Sequence, residues 1–220
     1  MSSQRLPAKV LTKINEKPLL QYLVERLENC SSINEIIIAT SDAKSDDPIA
    51  SFCDGYGVRC FRGSLKNVAK RFYMVLEEFN LDVFVRICGD SPIIDPKLID
   101  KGVELFDDSS DLVTNIWPRS YPLGQSVEVV RATTFKKIFK KMTKMDHLEH
   151  VTKYYYDHSD KFKIMNFSNE TNLSKYCLAV DKPEDLKRVK KIILSMTKPQ
   201  TQYNLDDLIE LYPLTKKLVC

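Results

Sequence analysis

This sequence predicts an α/β domain with a mostly parallel sheet flanked by helices, and three observations predict it. Short apolar runs alternate with amphipathic stretches through the first half of the chain. The apolar runs 35–41 and 82–92 end in small polar or acidic residues, as buried parallel strands do. At 220 residues the chain is long enough to bury one sizeable core.

Taken in order, "PLLQYLVERLEN" (18–29) sets Leu19, Leu20, Leu23, Val24 and Leu27 on one helical face. "EIIIATS" (35–41) reads as a buried strand, and "DDPIASFCDGYG" (46–57) as a short helix stopped by Gly55 and Gly57. "VRCFRG" (58–63) is a strand. "KNVAKRFYMVLEEF" (66–79) is a helix with Val68, Phe72, Val75, Leu76 and Phe79 on one stripe. The strongest strand, "DVFVRICGDSP" (82–92), ends at a Gly-Asp-Ser-Pro turn. "DPKLIDKGVELF" (95–106) opens with Asp at a cap position and Pro just inside. "LVTNIW" (112–117) and "SVEVVRA" (126–132) are strands. The basic run 135–144 is helical, 146–158 is helical, and 161–168 is a strand. The stretch 175–196 reads as a strand running into a long helix, and the tail is helical. There is no internal repeat and no linker, so residues 1–220 form a single domain. The irregular part, about 118–172, reads as a lobe that covers a site or mediates a dimer contact.

Charge is nearly balanced, 33 Lys+Arg against 30 Asp+Glu, which argues against a nucleic-acid partner. The basic helix 135–144 reads as a solvated surface helix, with an anionic partner or membrane surface as its alternative. The six cysteines show no metal-ligand spacing, and no apolar run approaches the roughly 18 residues of a membrane span. A reduced, cytoplasmic protein without a membrane segment is expected.

Ligands of open α/β sheets bind beyond the carboxyl ends of strands, which singles out Asp90 after "VFVRICG" and Asp181 after "YCLAV". Two converging carboxylates with open positions suit Mg²⁺, and Arg5 and Lys9 would neutralise a polyphosphate at the same place. Plainer readings stand beside these. Asp181 could be an N-cap, with Glu184 completing a capping box, and Asp90 could be a turn residue. Arg5 and Lys9 taken singly could be surface cations. No hydrolase triad is supported.

The same motifs carry a resemblance. "SSQRLPAKVL" resembles the "SSTRLPGKVL" loop of the cytidylyltransferases that activate acidic sugars. "RICGDSPIIDP" resembles the metal-binding strand end of that superfamily, and "LAVDKPEDLKRV" its second acidic motif. "FRGSLKNVAKRF" and "EHVTKYYY" are also similar, and together they point to the branch named for the spore-coat polysaccharide biosynthesis protein F. The resemblance runs from Ser2 to about Ile193. It implies a Rossmann-like nucleotidyltransferase fold (GT-A-like), a homodimer, Mg²⁺, and transfer of CMP from CTP to a sugar acid, with release of pyrophosphate, for surface polysaccharide synthesis. Carried over motif by motif, Arg5 and Lys9 would hold the triphosphate, and Asp90 and Asp181 the metal. Arg71 and Arg86 would contact the nucleotide, while Glu128 and His150 would face the sugar.

The chain also departs from the family pattern. A strand reading roughly "IIQARM" normally precedes the loop, and here the sequence starts at that Met, so a central strand is expected to be missing and its neighbours to expose unpaired backbone. Ala8 replaces the usual glycine, which predicts strain if the position takes a positive φ. "GQSVEVV" (124–130) lacks the Asp often found before the Val-Glu pair in related enzymes. For an active enzyme, either the true start lies upstream of Met1 or the loss is tolerated. Two other readings remain open: a weak or inactive member of the fold, kept as a binding or partner subunit or left as a truncated product, and a metal-dependent glycosyltransferase of related design.

Overall fold

A computed structural model describes residues 6–216 of the chain, with side chains through Tyr212. A short turn, Lys9–Leu11, leads into a hairpin of β1 (Lys13–Ile14) and β2 (Lys17–Pro18). Helix α1 (Leu19–Leu27) follows and buries Leu19, Leu20, Leu23 and Val24, the stripe its spacing predicts. Next come β3 (Ile37–Ser41), α2 (Asp47–Tyr56), β4 (Arg59–Gly63), α3 (Val68–Glu78) and β5 (Val83–Arg86). Gly57 ends α2 in the left-handed region at φ 84°, where a side chain would be strained. Helix α4 (Pro96–Glu104) is opened by Asp95, whose carboxylate accepts from the Lys97 N–H at 3.0 Å, with Pro96 in the first turn.

The second half holds β6 (Leu112–Thr114), β7 (Glu128–Arg131), α5 (Ala132–Phe139), α6 (Met145–Glu149), α7 (Lys153–Asp157), β8 (Ile164–Asn166), α8 (Pro183–Leu194) and α9 (Leu205–Lys216). Where one helix is expected over 146–158, two short ones form. His150 leaves helical geometry at φ −102°, ψ 88°, and the β-branched Val151 and Thr152 turn into the core. The strand expected from 175 forms no ladder; Cys177 makes only an isolated bridge to Leu123, because its neighbour is an irregular loop. Gly124 makes that approach possible. At φ 90°, a Cβ there would lie 2.4 Å from the Ala179 nitrogen.

Strands β3 and β4 pair in parallel as one unit, and a second sheet runs β5–β7–β6–β8. In that sheet β7 is antiparallel to both neighbours while β6 and β8 are parallel, so the architecture is mixed. Among the described residues, neither β3 nor β5 has a second strand partner. A groove of about 690 Å³ lies between these two strands, roofed by Leu23 and Leu27 of α1, Phe72 and Val75 of α3, and Ile99 of α4.

One core packs α1, α4, α8 and α9 around β6 and β7, and a second joins α3 to α5 and α7 through Leu76, Phe135, Val151 and Tyr155. Arg26 is wholly buried in the first core and donates to the backbone carbonyls of Ile94, Gln200 and Tyr203. Burial lowers its pKa to about 10, still far above neutrality. The cysteines among the described residues are free thiols, and no helix among those residues is long and apolar enough to cross a membrane.

Candidate active site

Three loops meet at the carboxyl end of β5. The first begins at Ala8, which takes φ 59°, ψ 15°, the left-handed conformation that its place in a glycine-type loop predicts. This turn aims Lys9 across the sheet. Its ammonium donates to Asp90 Oδ2 at 3.1 Å and to Asp181 Oδ1 at 3.3 Å. The lysine side chain is 15% exposed and each carboxylate 30%, so the trio is shielded yet reachable.

Backbone bonds hold the two acidic loops together. Ser91 N–H donates to the Cys88 carbonyl at 3.1 Å, closing the turn that presents Asp90. Val180 N–H donates to the Asp90 carbonyl at 2.8 Å, which ties the loop of Asp181 to that of Asp90. The cap of α8 is Lys182, and Asp185, not Glu184, supplies the reaching carboxylate. Asp185 Oδ2 accepts from the Lys182 N–H at 3.0 Å and the Asp181 N–H at 3.2 Å. The capping reading of Asp181 is thereby corrected, and its carboxylate turns to Lys9. Burial works against the Asp185 charge, but Arg188 at 2.7 Å and these two amides hold its pKa below the ordinary value.

A cavity of about 630 Å³ opens beside Lys9, lined by Thr40 and Ser41 from the end of β3, Leu65, Lys66 and Arg71. Asp46 accepts from the Thr40 hydroxyl at 2.9 Å and the Ser41 hydroxyl at 2.6 Å, which fixes that wall. Arg71 donates to the Ser64 carbonyl at 3.0 Å, while its buried Nε–H has no hydrogen-bond partner. Burial lowers the Arg71 pKa. A buried donor of this kind costs about 1–3 kcal/mol until a ligand accepts from it.

Arg86 and Glu128 lie deeper and belong to each other at 2.6 Å. Glu128 is 1% exposed and also accepts from Thr152 Oγ1 at 2.7 Å and Tyr156 Oη at 2.6 Å. Burial, with the Glu128 charge, raises the Tyr156 pKa, so the phenol stays a donor. Burial opposes the Arg86 charge too, yet Cys88 and Glu128 hold its pKa above the ordinary value. This saturated cluster braces α7 against β5 and β7. His150 sits at the exposed junction of α6 and α7, its imidazole 3.4 Å from Asp146. Met145 and Glu149 of α6, not His150, line the cavity. Arg5 lies outside the described residues.

The loops thus bring Lys9, Asp90, Asp181 and Arg71 to one place, pair Arg86 with Glu128 beside it, and leave His150 at the rim. The sequence reading passed over Thr40 and Ser41, although they end a strand and the rule that singled out Asp90 applies to them equally. It also passed over Tyr156 and Thr152, whose partner is distant in sequence.

A family model described as "Cytidylyltransferase" matches residues 1–215. The chain belongs to the cytidylyltransferase family. It is with that family a nucleotidyltransferase. An uncharacterized protein of Methanocaldococcus jannaschii is 39% identical over 163 residues, 74% of this chain and 66% of that protein. The spore coat polysaccharide biosynthesis protein SpsF of Bacillus subtilis is 33% identical over 200 residues, 87% of this chain and 82% of that one. A cytidylyltransferase structure from Leptospira borgpetersenii superposes with a TM-score of 0.93 at 27% identity, covering 100% of this chain and 92% of that one. A 3-deoxy-manno-octulosonate cytidylyltransferase of Pelobacter propionicus is 33% identical over half of this chain and 42% of its own length.

Proposed function

We propose that the chain transfers CMP from CTP to a sugar acid and releases pyrophosphate. The observation that carries this reading is Lys9 bridging Asp90 and Asp181 at the mouth of the 630 Å³ cavity. The substrate classes are those for which relatives such as the 3-deoxy-manno-octulosonate cytidylyltransferase are named, and the residues present suit them.

The reaction needs positioning and charge neutralisation more than a nucleophilic side chain. The acceptor hydroxyl attacks the α-phosphorus of CTP and gives up its proton to solvent; the bond to the bridging oxygen breaks and pyrophosphate leaves. Lys9 would move from the carboxylates to the triphosphate as that charge arrives. The cavity wall of Thr40, Ser41 and Arg71 would hold the nucleotide, with Arg71 gaining the acceptor its Nε–H lacks. Glu128, held by Arg86, Thr152 and Tyr156, would keep the acceptor side rigid and screened from water.

The carboxylates of Asp90 and Asp181 converge on one point, taken by the Lys9 ammonium, and this donor pair fits Mg²⁺, which draws its other oxygens from water and phosphate. Bound between Asp90 and Asp181, the ion would polarise the phosphate and neutralise charge on the leaving pyrophosphate.

The test is pyrophosphate release across the four nucleoside triphosphates with a panel of keto-sugar acids, with and without a chelator. Release with CTP and one acid only, lost on chelation, is the expected result. Lys9→Ala should weaken CTP binding by about 2–3 kcal/mol, measured by calorimetry, and unchanged affinity would remove Lys9 from the site. Release with no triphosphate would select the reading of a weak or inactive nucleotidyltransferase-fold protein.

A further inference from the structure

The loop between β6 and β7 carries a cation outside the Lys9–Asp90–Asp181 centre and the nucleotide wall. Arg119 is half-buried, and its guanidinium donates to two neutral acceptors, the Pro122 carbonyl at 3.4 Å and Ser126 Oγ at 3.1 Å. Among the described residues it forms no salt bridge. A guanidinium carries five N–H donors in a planar fork, so most of this fork is uncommitted.

The surrounding charge does not balance. Arg119 lies in the field of Glu128, Tyr156 and Cys88. Glu128 already neutralises Arg86 at 2.6 Å, and Tyr156 stays protonated. The one carboxylate named in its field is thus committed to Arg86, and the half-buried Arg119 charge has no carboxylate in salt-bridge contact among the described residues. Burial lowers the Arg119 pKa, the direction that an arriving anion would reverse.

The same loop is tied to the reaction centre. Leu123 N–H donates to the Tyr176 carbonyl at 3.1 Å and Leu178 N–H to the Leu123 carbonyl at 2.7 Å, while Val180 N–H reaches Asp90 at 2.8 Å. Arg119 thus stands on the β6–β7 side of Asp90, whereas the cavity with Thr40 and Arg71 stands on the β3 side. Two residues before it, Trp117 is 43% exposed, with its ring 5.9 Å from the Tyr156 ring.

We propose that Arg119 is the carboxylate anchor of the acceptor site, taking the sugar acid's carboxylate in its open fork with Trp117 as the adjoining apolar wall. The assignment rests on the sugar-acid reading above, and it names the residue by which this site would distinguish an acid from a neutral sugar.

Trp117 is the chain's single tryptophan, so its fluorescence reports occupancy without turnover. Wild type, Arg119→Ala and Arg119→Lys are titrated with 3-deoxy-manno-octulosonate, with N-acetylneuraminate and with the uncharged C1 amide of each. Pyrophosphate release is followed in parallel with CTP. Arg119→Ala should weaken the better acid by about 10- to 100-fold and leave its amide and the KM for CTP within about twofold. Arg119→Lys, with its point charge, should recover part of that loss. Equal affinity of wild type and Arg119→Ala for the acid, equal weakening of acid and amide, or no fluorescence response to either acid overturns the anchor. Wild type that binds the acid through Arg119 but releases no pyrophosphate leaves the anchor standing and overturns the proposed activity.

Discussion

In the four-stranded sheet, β6 buries all three of its residues and β7 all but Arg131, and both carry partners on each side. Across the groove, β3 keeps Ile37, Ile38 and Ala39 only half-buried and pairs with β4 alone. The candidate site draws on both. Asp90 is carried by the chain leaving β5, the edge strand of the four-stranded sheet, while Thr40, Ser41 and Arg71 belong with the two-stranded β3–β4 unit. Lys9 reaches between them. Few buried contacts and unpaired backbone make for low local stability, so the two halves of one site should differ in rigidity. The difference teaches that both strands flanking the site, β3 and β5, are edge strands, and that β5 alone is backed by the fully buried β7 and β6.

The largest test of that division is Asp90→Asn. Pyrophosphate release should fall about 1,000-fold while the circular dichroism spectrum stays unchanged, since the substitution keeps shape and removes charge. Turnover at the wild-type rate would move the reaction centre away from β5.

Next in size is Gly124→Ala on the side of the four-stranded sheet. The new Cβ would meet the Ala179 nitrogen at 2.4 Å in a left-handed backbone, and the loss should be about 3 kcal/mol in urea denaturation. A loss under about 1 kcal/mol would show that this side yields more easily than its packing suggests.

Native-state hydrogen exchange sharpens the comparison directly. Amides of β3 should exchange about 100-fold faster than those of β7. Equal protection would erase the proposed contrast.

The smallest effect is expected at the joint between the halves. Ala8→Gly relieves a left-handed strain of about 1–2 kcal/mol but adds roughly 0.5–1 kcal/mol of unfolded-state entropy. A net gain of about 0.5–1 kcal/mol, seen as a higher Tm, is the expected outcome. No gain would mean the turn bears its conformation without cost.

Much of this arrangement was legible in the sequence because it follows local rules. The stripe of α1, the Asp95-Pro96 start of α4 and the Gly57 stop of α2 are each set by neighbouring residues. Asp90 and Asp181 were legible because a strand end announces a ligand position. The Glu128 cluster was not, since Tyr156 and Thr152 stand 28 and 24 residues away from it. The break between α6 and α7 was missed for the same reason: Thr152 leaves the helix to bond a strand whose position local periodicity does not encode. Ala8 was read correctly as a strained replacement, because a left-handed turn is a property of the turn itself.

Arg26 carries a consequence for synthesis. Its guanidinium finds the Tyr203 carbonyl 177 residues further along the chain. A ribosome adding roughly 5–20 residues per second leaves that charge waiting about 10–35 seconds for its last acceptor. During that interval α1 cannot close the core around an unsatisfied cation without cost. The final packing of α1 therefore depends on the segment 200–203, which supplies two of the three carbonyls that Arg26 needs.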